Sequence, residues 1–296
     1  MAGVREGGIP IARGVRTLRR TGKSTIGRAL RRLVVSAVAL LACACATPSQ
    51  DFASEAHALG FASAIIEGDP FRHAVWFAQV DEPADALHVY IEHDGTPWID
   101  VTRVSDDPTP RTPFALELMA HDRGPRLVLG RPCYFDTRND AACSASSWTH
   151  RRYAPEVVHS MASALRAFLA QHPYRHVVLI GYSGGGTLAW LLASQVPQSR
   201  AVVTIAANLD TDAWTTLHRY SAMTGSLNPA LQPPLPSTIV DIAYVGGRDE
   251  NVPPSIARSF AGRHPNAKIV DVAQFDHTCC WIERWPELLE SAIASH

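Results

Sequence analysis

Ser183 stands in the stretch Val177-Val178-Leu179-Ile180-Gly181-Tyr182-Ser183-Gly184-Gly185-Gly186-Thr187-Leu188. The apolar run that ends at Gly181 reads as a buried parallel strand, a turn of small residues follows, and a helical segment starts near residue 187. Gly181-x-Ser183-x-Gly185 between a strand and a helix is the pattern of a nucleophile elbow. A serine hydroxyl is a weak nucleophile, so it must face a base, and the oxyanion formed on attack must face hydrogen-bond donors. A sharp turn meets both needs, and only small flanking residues let strand and helix approach so closely. A bare G-x-S-x-G also arises by chance in glycine-rich loops. The strand before it and the helix after it argue against that origin here.

In this setting the motif resembles that of the α/β-hydrolase family, and the resemblance runs over roughly residues 71–295. It implies an acid and then a histidine further along the chain, each on its own loop at the carboxyl edge of the sheet. Three histidines lie late enough: His264, His277 and His296. His264 falls in a helix-ending turn and His296 is the last residue, whereas His277 follows the last predicted strand. Asp249 follows the preceding strand through Gly246-Gly247-Arg248 and is the acid expected to orient His277. Its rivals are Glu250, Asp210 and Asp276. For the oxyanion, the family implies one N–H from the residue after the nucleophile, Gly184, and one from the loop after the third strand. That loop is Glu92-His93-Asp94-Gly95-Thr96-Pro97-Trp98. It departs from a simple His-Gly pattern by placing Asp94 between the two, and Gly95 and Thr96 are its expected donors. The loop could also be a plain tight turn.

The elements that must position these residues alternate along the chain. A weakly helical stretch covers 51–68, and strands are expected at 73–80 and 87–91, the latter rich in β-branched and aromatic residues. A helix over 112–121 and a short strand over 126–130 follow. A loop over 131–153 carries Cys133, Tyr134, Phe135, Cys143 and Trp148. Then come an amphipathic helix over 155–171, the strand before Ser183, a helix over 187–194 and a strand over 201–206. Residues 208–236 read as irregular, too short for a full cap domain, and suited to a modest lid or pocket wall, with Tyr134, Phe135, Trp148 and Trp214 expected to offer the pocket its apolar walls. A strand over 239–245, a helix over 254–262, a strand over 268–272 and a closing helix over 281–295 complete the pattern. Strands alternating with helices imply a mostly parallel sheet with right-handed crossovers and helices on both faces.

The net charge of −1 averages two unlike parts. Residues 1–46 hold nine of the 27 Lys and Arg and only one acid, Glu6, which leaves 18 bases against 27 acids in the remainder. An excess of about nine negative charges argues against nucleic acid or an anionic membrane surface as a partner. A basic segment ending in Arg31-Arg32, an apolar run over 33–42 and small residues beyond it read as an export signal. Leu40-Leu41-Ala42-Cys43 resembles a bacterial lipobox, with Cys43 as the lipidated residue, while Ala44-Cys45-Ala46 satisfies the rule for ordinary cleavage. Residues 1–46 are therefore expected to be a signal segment and 47–296 the hydrolase domain. Thr21-Gly22-Lys23-Ser24 is no P-loop, because the first glycine is replaced by Thr17 and no strand precedes it.

In an exported protein, Cys133 and Cys143 could close a disulfide loop, which the chain-entropy model values at roughly 2.5–3 kcal/mol. The adjacent Cys279-Cys280 read more readily as small buried thiols than as a vicinal disulfide, and without C-x-x-C spacing they make a poor zinc site.

The sequence thus points to an exported, lipid-anchored serine hydrolase acting on carboxylic esters of short to medium acyl chain, with Ser183, His277 and Asp249 as its triad and no cofactor or metal implied. A peptidase, acyltransferase or thioesterase could run on the same triad, and a catalytically silent binding protein could share the fold. The sequence does not fix the oligomeric state.

Overall fold

The computed structural model describes residues 46–80 and 84–294. The expected export signal, with Cys43 and Cys45, and the terminal His296 lie outside these residues. The described chain folds as α1 (Pro48–Ala58), β1 (Ala62–Glu67), β2 (Arg72–Ala78), β3 (Ala86–Ile91), α2 (Phe114–Ala120), β4 (Arg126–Leu129), α3 (Pro155–Gln171), β5 (His176–Tyr182), α4 (Gly184–Ala193), β6 (Ser199–Ile205), α5 (Thr211–His218), β7 (Val240–Gly246), α6 (Pro254–Ala261), β8 (Lys268–Val272) and α7 (Trp281–Ile293).

The strands form one eight-stranded sheet in the order β1-β2-β4-β3-β5-β6-β7-β8. β2 runs antiparallel to both of its neighbours, and every pairing from β4 to β8 is parallel. The chain steps from β3 outward to β4 and then crosses to β5 on the other side of β3. That reversal opens a crevice at the carboxyl ends of β3 and β5, where open α/β sheets place their ligands. The architecture is the mostly parallel, helix-flanked sheet that the sequence implied.

Burial explains why the central strands read so clearly. β3 and β5 are buried almost throughout, which demands continuous apolar runs. β1, in contrast, is an edge strand with most of its residues exposed, and it occupies part of the stretch expected to be weakly helical. Ala62–Glu67 lacks the alternation that marks a half-buried strand, and its pairing with β2 decides its form. Residues 208–236 are likewise more ordered than expected. Asp210 caps α5 by accepting from the Ala213 N–H, and a 3₁₀ turn follows at Pro229–Leu231.

Helix α7 closes the sheet with one apolar stripe, Trp281, Trp285, Leu289 and Ala292. Trp285 donates its indole N–H to Tyr90 Oη (3.0 Å), which in turn donates to Asp122 (2.8 Å), so this buried contact is also polar and fully partnered. Cys133 and Cys143 are bonded, as expected. Cys279 and Cys280 are bonded too, which corrects the reading of them as buried thiols. Cys279 is exposed and Cys280 half-buried, so apolar packing is not what places them there. No helix among the described residues is long and apolar enough to cross a membrane.

Candidate active site

The elbow starts where β5 ends. Ser183 sits at φ 51°, ψ −122°, a left-handed conformation that a serine adopts only when its surroundings force it. Its N–H donates to Ile205 O (2.9 Å) at the end of β6, and its own carbonyl accepts from Gly186 N–H (2.9 Å). The tight approach depends on missing side chains: a Cβ on Gly181 would lie 2.3 Å from Gly185 O. The result is a serine whose side chain leaves the sheet edge while its backbone begins α4.

The acid and the base arrive from two further carboxyl ends. Asp249 follows β7, and its side chain is fully buried. One carboxylate oxygen accepts from the N–H groups of Asn251 (2.9 Å) and Val252 (2.7 Å). The other accepts from His277 Nδ1–H at 2.8 Å. That bond leaves the lone pair of His277 on Nε2, which lies 3.2 Å from Ser183 Oγ. Tyr182 Oη donates to the His277 carbonyl (3.0 Å), which ties the histidine loop to the end of β5. The side chain of His277 keeps 20% exposure, so substrate can reach it.

The rival residues are engaged elsewhere. Asp210 accepts from Ala213 N–H, Asn228 Nδ2 and Ser259 Oγ. Asp276 accepts from the N–H groups of Thr278 (2.8 Å) and Cys279 (2.7 Å), which shapes the histidine loop without facing the ring nitrogens. Glu250 is exposed. His264 is buried and stacked on Phe260 at a ring distance of 4.2 Å.

The loop after β3 lies against the elbow, but its amides are not arranged as expected. Gly95, at φ 65°, donates its N–H to His93 Nδ1 (3.0 Å), and Thr96 donates its N–H to Pro108 O (2.9 Å). Both expected oxyanion donors are therefore occupied within the chain. His93 donates from Nε2–H to Thr112 O (3.0 Å), and its burial lowers its proton affinity, so the ring is neutral and Nδ1 is free to accept. Gly184, the other expected donor, is the first residue of α4, where amides lack intrahelical partners.

Two acidic residues of this loop were given no role by the sequence reading. Glu92 is fully buried, accepts from Leu116 N–H (2.9 Å) and is pushed up to about 8 by burial, against the pull of nearby amides. Burial also works against the charge of Asp94, yet the guanidinium groups of Arg152 and Arg131 hold its carboxyl well below the usual carboxylate range. Asn251, beside His277, was missed as well: its Nδ2 lies 3.1 Å from His277 Nε2. No motif marks these three, because their partners come from elements distant in sequence.

The aromatic residues expected to wall the pocket mostly do not. Tyr134, Phe135 and Trp148 are buried in the core, with Phe135 packed on Phe52 and Trp76. Trp214 alone of the four is half-exposed, and its indole N–H donates to Asn251 O (2.9 Å).

A family model described as the alpha/beta hydrolase fold matches residues 135–229, a span that includes Ser183 and stops short of Asp249 and His277. No curated protein is similar enough in sequence to match the chain. Among solved structures, the chain is similar to a bacterial membrane phospholipase A described as a virulence factor (15% identity, TM-score 0.54, 91% of this chain and 96% of that one). It is also similar to an esterase of Pyrococcus furiosus (14% identity, TM-score 0.55, 81% and 91%). An acylaminoacyl peptidase of Pyrococcus horikoshii is similar over 78% of this chain (11% identity, TM-score 0.53), and this chain spans only 41% of that protein's length. At these identities the likeness is one of fold.

Proposed function

We propose, from the α/β-hydrolase fold and the side-chain relay it carries, that this protein is a serine hydrolase that cleaves carboxylic esters. The observation that carries the reading is the relay itself. Asp249 accepts from His277 Nδ1–H, His277 Nε2 faces Ser183 Oγ at 3.2 Å, and the serine sits in a left-handed backbone conformation. In the reaction, Ser183 Oγ bonds to the acyl carbon as its proton passes to His277 Nε2. The alcohol leaves with that proton, and water attacks the acyl-enzyme by the same route in reverse. Asp249 fixes the tautomer and stabilises the imidazolium. Gly184 N–H, at the start of α4, is one donor to the oxyanion.

Short- to medium-chain acyl groups are the proposed substrates. The segment over 208–236 forms one eight-residue helix and a single turn, which leaves no cap to enclose a long chain. We further propose that the protein is exported and held at a membrane by a lipid on Cys43, with 47–296 as its catalytic domain. The Cys133–Cys143 disulfide supports an oxidising compartment.

The test is labelling of the purified protein by a fluorophosphonate, with the adduct located by mass spectrometry, and turnover of p-nitrophenyl esters from acetate to palmitate beside peptide amides. Ser183→Ala should abolish both, with a loss of about six orders of magnitude in kcat. Labelling at another serine, or peptide cleavage in preference to every ester, would reject the reading.

A further inference from the structure

His277 sits inside a turn that its own neighbours close. The Asp276 N–H donates to Cys279 O (3.0 Å), and Asp276 Oδ1 accepts from the N–H groups of Thr278 (2.8 Å) and Cys279 (2.7 Å). On the upstream side, Arg248 N–H donates to Phe275 O (2.9 Å) and Tyr182 Oη donates to the His277 carbonyl (3.0 Å). On the downstream side the turn meets α7, whose first residue, Trp281, is fully buried and donates from Nε1 to Asp276 O (3.0 Å). Cys279 ends the turn, Cys280 is the residue that caps the start of α7, and a disulfide joins the two. The bond locks the joint between the loop of the base and the helix that anchors it.

This disulfide is not a staple for the fold. In the chain-entropy model a cross-link stabilises through the loop it closes, and adjacent residues close almost none. Cys133 and Cys143 are the pair suited to that role: they lie 10 residues apart in sequence, and Cys133 is fully buried. Cys279, in contrast, is exposed, and access governs attack by an outside thiol. What the Cys279–Cys280 bond confines is backbone rotation at the two residues between turn and helix, freedom that an open chain would regain. Cys279 gives both an N–H and a carbonyl to Asp276, so motion there passes to the residues on either side of His277.

We propose that Cys279–Cys280 is a thiol–disulfide exchange site that sets the activity of the triad. Bonded, the pair keeps His277 on Ser183; reduced by a dithiol, it lets the base drift and slows the reaction. The proposal rests on the serine hydrolase reading, and Asp276, Cys279 and Cys280 act in it as positioning residues. In the exchange, a thiolate of the dithiol bonds to Cys279 Sγ as the bond to Cys280 Sγ breaks, and Cys280 leaves as a thiolate. The second sulfur of the dithiol then displaces Cys279. Two electrons and two protons pass to the protein, which ends with two thiols while the dithiol ends as a disulfide.

The experiment reduces the full chain with dithiothreitol for increasing times and removes the reductant. One portion is alkylated with iodoacetamide and mapped by mass spectrometry; another is assayed for ester turnover and for fluorophosphonate labelling of Ser183. Cys279 and Cys280 should become alkylated before Cys133 and Cys143. In step with them kcat should fall at least about tenfold, because a catalytic group displaced by about 1 Å can cost about 10²-fold. KM should stay within about twofold, since substrate binding is not what the turn controls, and reoxidation should restore kcat. The Cys279→Ser/Cys280→Ser double variant should show the lowered kcat from the outset and no response to dithiothreitol. A bond that is merely structural would lower the melting temperature on reduction and leave kcat alone, and this result overturns the proposal. So does a loss of kcat that follows Cys133 and Cys143 instead, or a double variant that responds to dithiothreitol as the wild type does. If the oxidised wild type is not labelled at Ser183, the hydrolase reading falls and the proposal with it. A labelled wild type whose rate ignores reduction of Cys279–Cys280 removes the exchange site alone.

Discussion

Asn251 Nδ2 lies 3.1 Å from His277 Nε2, the same nitrogen that Ser183 Oγ approaches at 3.2 Å. With Nδ1–H committed to Asp249, a neutral imidazole has one lone pair left, and the amide and the hydroxyl must compete for it. Asn251 is no idle surface residue. Its carbonyl accepts from Trp214 Nε1 (2.9 Å) and His218 Nε2 (2.7 Å), which ties the catalytic edge to α5. Asn251→Ala should therefore free the lone pair for Ser183 and raise the fluorophosphonate labelling rate about two- to fivefold, a gain on the scale of one modest hydrogen bond. A tenfold fall in that rate would mean that the amide carbonyl serves the imidazolium instead.

Asp249 makes a sharper prediction, because its rivals are accounted for. Asp249→Asn keeps the shape of the group but lets the side chain donate towards His277 Nδ1, which reverses the tautomer, and kcat should fall by about 10⁴. Asp210→Asn disturbs the cap of α5 and its bonds to Asn228 and Ser259, so it should cost stability and leave kcat within about threefold. Steady-state kinetics and thermal melts on the two variants separate these roles. The assignment fails if the effects on kcat are reversed.

The contrast between these residues shows what was legible in the sequence. Ser183 and Asp249 each follow a buried strand, and a buried parallel strand is an apolar run that announces where it ends, whereas His277 follows the partly exposed edge strand β8 and was placed by its position after the last strand. Their spacing along the chain therefore carried the site. Asp94, Arg131 and Arg152 meet only because β3, β4 and the loop after β4 end side by side, and nothing in their local sequences records that neighbourhood. Gly95 misled for a related reason. Its glycine serves a positive φ and a bond to His93, and these are turn geometry rather than oxyanion chemistry. β1 escaped because an exposed edge strand has no apolar face to display.

Gly184→Ala tests the close contact between the residue after the nucleophile and the Asp94 carboxylate. The added methyl would overlap the Asp94 carboxylate and Tyr153 Oη, and neither can yield without loosening Arg131 or Arg152. The variant should lose at least about 10² in kcat and melt several degrees lower. Gly262→Ala is the control: its new methyl meets nothing closer than 3.5 Å, and activity should be unchanged.

Glu92 gives the protein a pH-dependent stability that does not depend on the triad. Burial raises its pKa from 4.5 to about 8 in the native state, whereas in the unfolded chain it titrates near the ordinary value. Below pH 4.5 both states hold the proton. Between about 4.5 and 8 the native state keeps it and the unfolded state releases it, so stability falls as pH rises through this window and levels off above 8. Glu92→Gln mimics the protonated form, retains an oxygen for the Leu116 N–H and has no proton to lose. The variant should show little of this decline, and at pH 8.5 it should melt on the order of 5 °C above the wild type. At pH 4.5 the two should melt together within about 2 °C. Melting curves at the two pH values decide the matter, and a wild type more stable than the variant at pH 8.5 would place the Glu92 proton elsewhere.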